Sequence, residues 1–252
     1  MEFKTLRVNV ENGVVSAMID RKENRNSINR LLIAELTQLL DTIESQSEIK
    51  MLVISGGNGV FCTGMDFDEA VATSSPSRDN FSEYMTLLKR FTVTPKILVA
   101  KIEGQVLAGG VGVAAACDLV LATPESSFCL SELLWGLVPA MVMPFLVRRT
   151  GLQAAYKMAL TTETLSAEEA NRLGLVDTVD LDLDVALKRI SRRLLRLDPA
   201  AVENLKLFMR EMWIINEPME ELAVSESFRI GSSPQVRRNL ERFIRHKQFP
   251  WE

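Results

Sequence analysis

The sequence is poor in the residues that build disulfide networks and metal sites. Its 252 residues include three cysteines and one histidine. Cys62, Cys117 and Cys129 are odd in number and widely spaced, which fits neither a disulfide framework nor a paired metal knuckle. We interpret them as reduced thiols in the core. No metal site and no resident cofactor are therefore expected.

The single histidine also limits the hydrolytic mechanisms that are open to this chain. A serine–histidine triad would have to use His246. That residue lies in a basic stretch, 242–247, close to the C-terminus. Its setting favours a solvated histidine at a helix end, so we do not expect triad chemistry.

Long apolar runs are missing as well. The longest, 111–116 and 133–138, fall well short of the roughly 20 residues that a membrane span needs. The first residues lack the apolar core of a secretory signal, so the expected address is cytoplasmic. The net charge of −4 is interspersed along the chain, which argues against nucleic-acid binding. Small molecules and proteins remain as partners.

Alternating strand and helix patterns are present in the first half of the chain. Residues 6–11 and 14–19 alternate around Asn12-Gly13, which predicts a β-hairpin. Apolar spacing predicts helices at about 29–45, 81–91 and 109–117, and short apolar runs predict buried strands at 51–57, 97–102 and 119–122. The fold class is therefore α/β with right-handed crossovers.

Beyond Pro144 the pattern becomes mostly helical. Residues 166–169 form a capping box, Gly174 fits a helix C-terminus, and strands end by about Val179. We predict a core at 1–195 and a helical C-terminal region at 196–252. That region is rich in apolar residues, which could pack on the chain's own core, on neighbouring subunits, or on both.

Two glycine-bearing turns, 60–66 and 107–112, follow predicted strands and approach helices. Free backbone amides at such places can converge on a ligand oxygen and form an oxyanion hole. Close packing is the ordinary alternative for a Gly-Gly pair. The spacing matches neither a Walker motif nor a dinucleotide fingerprint, so no nucleotide site is supported.

Four segments, read in chain order, resemble the enoyl-CoA hydratase/isomerase, or crotonase, family. They are 21–29, 61–66, 108–118 and 131–139. The resemblance implies a crotonase (ClpP-like) spiral of ββα turns with a helical C-terminal trimerisation region. It also implies a homotrimer or hexamer.

The same resemblance implies the parts of a site. A thioester carbonyl would be held by the backbone amides of Met65 and Gly109, with Asn26, Gly64 and Gly110 as further substrate-binding residues. The polar segment 72–79 would flank the channel for the phosphopantetheine arm. The substrate would be carried on that arm by coenzyme A or by an acyl carrier protein.

One departure from the family pattern bears on the reaction. Hydratases of this family carry a catalytic glutamate three residues after the oxyanion glycine, and this chain has Gly112 there. The second family glutamate is retained as Glu132. Because glycine cannot transfer a proton, ordinary two-glutamate hydration is not expected. A carboxylate that only complements a helix N-terminus is the alternative role for Glu132.

Segments 127–140, 143–149 and 248–252 are similar to the crotonase-type dehydratases of polyketide β-branching. Those enzymes convert 3-hydroxy-3-methylglutaryl-ACP to 3-methylglutaconyl-ACP, which implies an acyl carrier protein as partner. Glu132 would then relay the proton beside the oxyanion hole. Asp66 and Cys62 are candidates for a second proton-transferring group.

The distal carboxylate of that acyl group needs a cation or several N–H donors. Lys89, Arg90, Arg148 and Arg149 lie near the relevant segments, although surface solvation is the usual role of such residues. The two arginines at 148 and 149 are also candidates for docking an acidic carrier protein.

Three other functions remain open at this stage. A Δ3,Δ2-enoyl-CoA isomerase also works with one glutamate at the Glu132 position. A decarboxylase of the same polyketide cassettes would not need that glutamate. A non-catalytic crotonase-fold protein, binding RNA or serving assembly, would lose nothing measurable on Glu132→Gln.

Overall fold

A computed structural model describes residues 3–72, 77–213 and 216–252 of the chain. The larger sheet has the strand order β1-β2-β3-β5-β7-β10 and the smaller one the order β4-β6-β8-β9. The strands are β1 Leu6–Glu11, β2 Val14–Ile19, β3 Met51–Gly56, β4 Val60–Cys62, β5 Ile97–Ile102, β6 Gln105–Leu107, β7 Leu119–Ala122, β8 Ser127–Cys129, β9 Leu165–Ser166 and β10 Thr178–Val179.

Helices surround both sheets, which confirms the predicted α/β class. They are α1 Arg30–Glu44, α2 Phe67–Ala72, α3 Arg78–Phe91, α4 Gly109–Ala116, α5 Met143–Thr150, α6 Leu152–Thr161, α7 Ala167–Arg172, α8 Leu183–Leu194, α9 Pro199–Glu211, α10 Glu217–Gly231 and α11 Pro234–His246. Two short 3-10 helices, Lys22–Asn24 and Glu132–Trp135, complete the described elements.

The larger sheet begins with the predicted antiparallel hairpin and continues in parallel from β2 onward. Its central strands are apolar on both faces. Leu52 pairs with Leu98 on one face, and Val53 pairs with Val99 on the other. All four side chains are at most 2% exposed. The continuous apolar runs are explained by helices or the smaller sheet covering both faces.

The smaller sheet was not predicted, and it positions the candidate site. Its strands β4, β6 and β8 are parallel neighbours. Because carboxyl ends of parallel strands meet at one edge, the residues that follow these strands are brought together. Met65 follows β4, Gly109 follows β6, and Glu132 follows β8.

The boundaries of α3 differ from the prediction. The helix begins at Arg78, with Ser77 as its N-cap, where the sequence pattern predicted a start near Phe81. Ala72 belongs to α2, and Arg78 and Asp79 belong to α3, so these three residues are helical where the sequence predicted a loop. Residues 73–76 of that loop lie outside the described residues.

The C-terminal helices follow the last described strand, β10, as predicted. The capping box at Ser166 and Glu169 is present, and Gly174 adopts a positive φ just after α7. Helix α11 covers the Glu132–Trp135 turn, since Asn239 donates to the Trp135 carbonyl at 3.0 Å. No described helix is long and apolar enough to cross a membrane. The division at residue 195 stays a prediction.

Candidate active site

A cavity of about 200 Å³ lies at the edge where β4, β6 and β8 end. Met65, Gly109 and Glu132 all line it, together with side chains from α3, α10 and α11. Three residues predicted from separate motifs therefore line one cavity. Helices from the C-terminal region form part of its wall, which no motif had indicated.

The two candidate oxyanion amides have backbone settings that suit an external acceptor. Around Met65, the Ile28 N–H donates to Gly64 O at 2.7 Å and the Asp66 N–H donates to Ile28 O at 3.0 Å. This parallel bridge directs the Met65 N–H to the opposite side. Gly109 is the first residue of α4, where helical N–H groups lack an intrahelical acceptor.

Gly64 and Gly110 are required by close packing, and neither lines the cavity. Gly64 has φ +82°, and a Cβ there would lie 3.0 Å from the Gly109 nitrogen. A Cβ on Gly110 would lie 2.5 Å from the Cys62 carbonyl oxygen. The structure gives these glycines a packing role, and their substrate-binding role stays a prediction. They allow the two oxyanion segments to approach each other.

Glu132 is 9% exposed, and its Oε2 atom has no hydrogen-bond partner among the described residues. Burial raises the pKa of this carboxyl to about 7, and the hydrogen bond from its own backbone amide opposes the shift only in part. A carboxylate poised near neutral pH and facing a cavity suits proton transfer. It is the chemistry that the retained family glutamate predicts.

Tyr84 is a residue of the site that sequence reasoning missed. Its hydroxyl donates to the Gly109 carbonyl at 2.6 Å. A Cβ on Gly112 would lie 2.6 Å from that same hydroxyl. Burial, with the nearby Cys62 and Glu132, raises the Tyr84 pKa well above its ordinary value, so the phenol stays protonated. Tyr84 thus stands where a hydratase glutamate at position 112 would need room.

Asp66 lines the cavity but is held by other groups. Its carboxylate accepts from Arg21 at 2.8 Å, from the Ser27 hydroxyl at 3.0 Å and from the Glu69 N–H at 3.0 Å. Burial raises its pKa, but these hydrogen bonds outweigh it and leave the pKa below the ordinary value. An ionised, fully engaged carboxylate is a poor proton donor, so Asp66 does not fit the predicted role of acid.

Cys62 and Asn26 do not line the cavity. Cys62 is fully buried beneath α4, and burial raises its thiol pKa to about 12, which does not fit the predicted proton-transferring role. Asn26 accepts from the Arg21 N–H at 2.9 Å and donates to the Val60 carbonyl at 2.7 Å. It shapes the loop before α1, and its predicted role in substrate binding stays a prediction.

None of the four basic residues proposed for the distal carboxylate lines the cavity. Lys89 pairs with Glu220, and Arg90 pairs with carboxylates of α1. Arg148 and Arg149 donate to the Cys117 carbonyl after α4, and only 8% of the Arg149 side chain is exposed. The docking role predicted for those two arginines is therefore not supported, because they stabilise the end of α4.

A comparison with family models matches residues 9–252 to the family described as enoyl-CoA hydratase/isomerase. The chain belongs to this family. Bacillaene synthase dehydratase PksH from Bacillus subtilis strain 168 is 34% identical over 253 residues, which cover 99% of this chain and 97% of PksH. The 2,3-dehydroadipyl-CoA hydratase of Escherichia coli K12 is 30% identical over 210 residues, 82% of each chain.

Solved structures agree with the family assignment. A polyketide biosynthesis enoyl-CoA hydratase (pksH) from Bacillus subtilis matches with a TM-score of 0.94 at 33% identity, covering 99% of this chain and 100% of that one. An enoyl-CoA hydratase from Mycobacterium avium matches with a TM-score of 0.85 at 27% identity, covering 98% and 99%. The fold is thus the crotonase fold. The trimer or hexamer remains a prediction.

Proposed function

We propose that this enzyme is a hydro-lyase of the crotonase family that dehydrates 3-hydroxy-3-methylglutaryl-ACP to 3-methylglutaconyl-ACP in polyketide β-branching. The observation that carries the proposal is Glu132, a buried carboxyl without a described partner for its Oε2 atom, which lines one cavity together with two candidate oxyanion amides. The second family carboxylate is replaced by Gly112, whose side-chain space Tyr84 occupies. One proton-transferring group and an enolate site suit elimination of water.

The steps follow from this arrangement. The amides of Met65 and Gly109 hold the thioester oxygen, which lowers the pKa of the α-C–H. Glu132 takes that proton, and the electron pair moves onto the thioester oxygen as an enolate. The enolate returns its electrons to form the C2–C3 double bond as the C3–O bond breaks. The departing hydroxide takes the proton from Glu132 and leaves as water, which regenerates the carboxylate.

The contribution of the oxyanion amides to the rate can be estimated from other enzymes. Removal of one such donor typically costs about 2.7 to 4 kcal/mol of transition-state stabilisation. Tyr84 supports this part of the site, because its hydroxyl is bonded to the carbonyl of the same Gly109 residue whose N–H is a candidate donor. We assign Tyr84 a positioning role for Gly109.

The carrier is part of the proposal. The Bacillus subtilis relative that spans 99% of this chain is called a bacillaene synthase dehydratase, which favours an acyl group made in a polyketide pathway. Such a group is bound to an acyl carrier protein through phosphopantetheine. We therefore propose an ACP thioester as the substrate, with no cofactor other than that arm.

Intact-protein mass spectrometry of 3-hydroxy-3-methylglutaryl-ACP tests the proposal. We expect loss of one water with the wild-type enzyme and at least a 100-fold slower loss with Glu132→Gln. Glu125→Gln, an exposed glutamate before β8, is the control that should keep wild-type rates. Because the base must be deprotonated, the wild-type kcat/KM should fall about tenfold per pH unit below about 7.

Two results would contradict parts of this proposal. Equal rates for wild type and Glu132→Gln would remove Glu132 from the proton relay. No loss of water with either protein, together with isomerisation of a 3-enoyl-CoA, would replace the dehydratase by the isomerase alternative.

A further inference from the structure

Buried polar atoms without partners collect at the active-site cavity. Among the described residues, four buried side-chain atoms have no hydrogen-bond partner: Asn80 Oδ1, Glu132 Oε2, Ser227 Oγ and Ser232 Oγ. The first three of these residues line the cavity, and Ser232 does not. A buried polar atom left unpaired is unfavourable and calls for an explanation such as a ligand. The reaction accounts for Glu132 but not for Asn80 or Ser227.

Asn80 and Ser227 belong to two helices that pack on each other. Asn80 lies in the first turn of α3, and Ser227 lies on α10 with 7% of its surface exposed. The Phe81 and Phe228 rings, one residue further along each helix, have centroids 6.3 Å apart. The packed helices therefore present both polar side chains to the same cavity.

The rise along helix α3 gives the distance between Tyr84 and Asn80 on this wall of the cavity. Tyr84 marks the reacting end, since its hydroxyl is bonded to the Gly109 carbonyl. Asn80 lies four residues earlier, on the same face and about 6 Å along the helix axis. The distal carboxyl carbon of a five-carbon acyl chain lies about 4 to 5 Å from its thioester carbonyl carbon. Asn80 is thus placed for the far end of such a group.

The chemistry of the two side chains fits a carboxylate. The Ser227 hydroxyl can donate one hydrogen bond, and the Asn80 amide can present its NH2 group after a half-turn about its last bond. An apolar acyl end would leave both Asn80 and Ser227 unpaired.

We propose that Asn80 and Ser227 form a polar subsite that binds the distal carboxylate of the acyl group and so selects dicarboxylic acyl thioesters. This inference rests on the proposed function for its place in the reaction, because it assigns the partner of the second carboxylate. Its test uses binding alone, so that the subsite can be judged apart from the dehydration.

Glutaryl-CoA and pentanoyl-CoA are the probes, because they differ in a terminal carboxylate against a methyl group. Neither carries a 3-hydroxyl group, so neither can lose water. By isothermal titration calorimetry the wild-type enzyme should bind glutaryl-CoA at least about tenfold more tightly. Ser227→Ala should reduce this preference to about threefold or less, and the near-isosteric Asn80→Asp should reverse it through like-charge repulsion.

Pentanoyl-CoA and Ser232→Ala serve as controls. The affinity for pentanoyl-CoA should change less than about twofold in each variant, which shows that the fold and the arm site are intact. Ser232→Ala removes the unpaired buried hydroxyl that lies outside the cavity, and it should keep the full preference. A loss of preference in this variant equal to that of Ser227→Ala would overturn the subsite.

The remaining outcomes separate this inference from the proposed function. Glutaryl-CoA binding no tighter than pentanoyl-CoA, or a preference unchanged in Ser227→Ala and Asn80→Asp, overturns the subsite even if water is lost from the proposed substrate. A preference that depends on Asn80 and Ser227 supports the subsite even if that substrate loses no water. That second result would contradict the proposed dehydratase function and leave the subsite supported.

Discussion

Because Glu132 is buried and its Oε2 atom has no described partner, the stability of the protein should depend on pH. Between its ordinary pKa of 4.5 and its raised pKa of about 7, the folded state keeps a proton that the unfolded state releases. The stability of the wild-type protein should therefore decrease as the pH rises through this window. Above about pH 7 the folded protein holds an unpaired buried charge.

Glu132→Gln should accordingly stabilise the protein while it removes activity. We expect its free energy of unfolding to exceed that of wild type by about 1 to 3 kcal/mol at pH 8, and by close to zero at pH 4.5. Urea unfolding at both pH values measures the difference. Asp66→Asn is the control with the opposite sign, because the folded state lowers the Asp66 pKa. This variant should be less stable than wild type at pH 7, and the difference in free energy of unfolding should become smaller in acid. A Glu132→Gln protein less stable at pH 8 would contradict the assignment.

Gly112 and Tyr84 should be energetically coupled, because a Cβ at residue 112 would lie 2.6 Å from the tyrosine hydroxyl. Gly112→Ala should destabilise the wild-type protein by about 1 to 3 kcal/mol through overpacking. In a Tyr84→Phe background the closest atom is gone and the Val142 methyl group at 3.1 Å remains, so the alanine should cost at least about 1 kcal/mol less than in wild type. Urea unfolding of the four proteins gives the coupling energy. Additive effects would show that the crowding is relieved elsewhere.

The order of the motifs predicted Met65, Gly109 and Glu132 as site residues, because each lies in a short recognisable segment after the end of a strand. Tyr84, Asn80 and Ser227 could not be found that way. They lie on helices whose apolar spacing is typical of ordinary packing, and only tertiary contact brings them to the cavity. The predicted second acid failed for a related reason, since the partners of Asp66 are distant in sequence.

The elements of the larger sheet were predictable, whereas those of the smaller sheet were not. Strands β3, β5 and β7 are apolar runs bounded by turn residues, which is a clear signal. Strands β4, β6 and β8 have three residues each, too few for any period to be read. The edge that assembles the site therefore becomes visible only when these strands pair.

Helix α11 stabilises the turn that carries Glu132, and Asn239 provides a way to test this. Asn239 is 6% exposed and donates to the Trp135 carbonyl, while the Trp135 and Phe243 rings pack with centroids 4.9 Å apart. Asn239→Leu should leave that buried carbonyl unpaired at a cost of about 1 to 3 kcal/mol. It should also lower kcat more than it raises KM, because the catalytic carboxylate loses its support.

The control for this helix is Arg238→Ala. Arg238 is exposed and bonds only to Gln235 of the same helix in the described contacts. Its removal should change the free energy of unfolding by less than about 0.5 kcal/mol and leave kcat unchanged. If Asn239→Leu loses stability but keeps the wild-type kcat, then α11 stabilises the fold without positioning Glu132.

In the whole molecule, helix α9 buries a charged side chain and exposes apolar ones. Its buried side chain is Lys206, which pairs with Asp118 at 2.6 Å and donates to the Lys96 carbonyl at 2.8 Å. Its outer face carries Leu205 and Phe208, and Met212 follows as the C-cap residue; these side chains are 60%, 62% and 64% exposed. These three residues recur at helical spacing and form one apolar stripe.

An exposed apolar stripe of this kind favours contact with another protein surface. A helix of an isolated monomer ordinarily turns its apolar stripe inward, whereas α9 turns one outward. The family resemblance predicts a homotrimer or a hexamer, and α9 lies in the region, 196–252, that was predicted to mediate trimerisation. We therefore expect the α9 stripe to be buried between copies of this chain.

Native mass spectrometry of the full chain should give three or six times the mass of one chain. Phe208→Glu would bury an unpaired charge in such an interface, so the dissociation constant between subunits should rise by at least about 100-fold. Leu181→Glu is the matched control, because Leu181 is 82% exposed and lies outside the stripe. A monomer for wild type, or an unchanged oligomer for Phe208→Glu, would remove the α9 stripe from the interface. A monomeric Phe208→Glu variant that still dehydrates its substrate would further show that one chain carries the complete site.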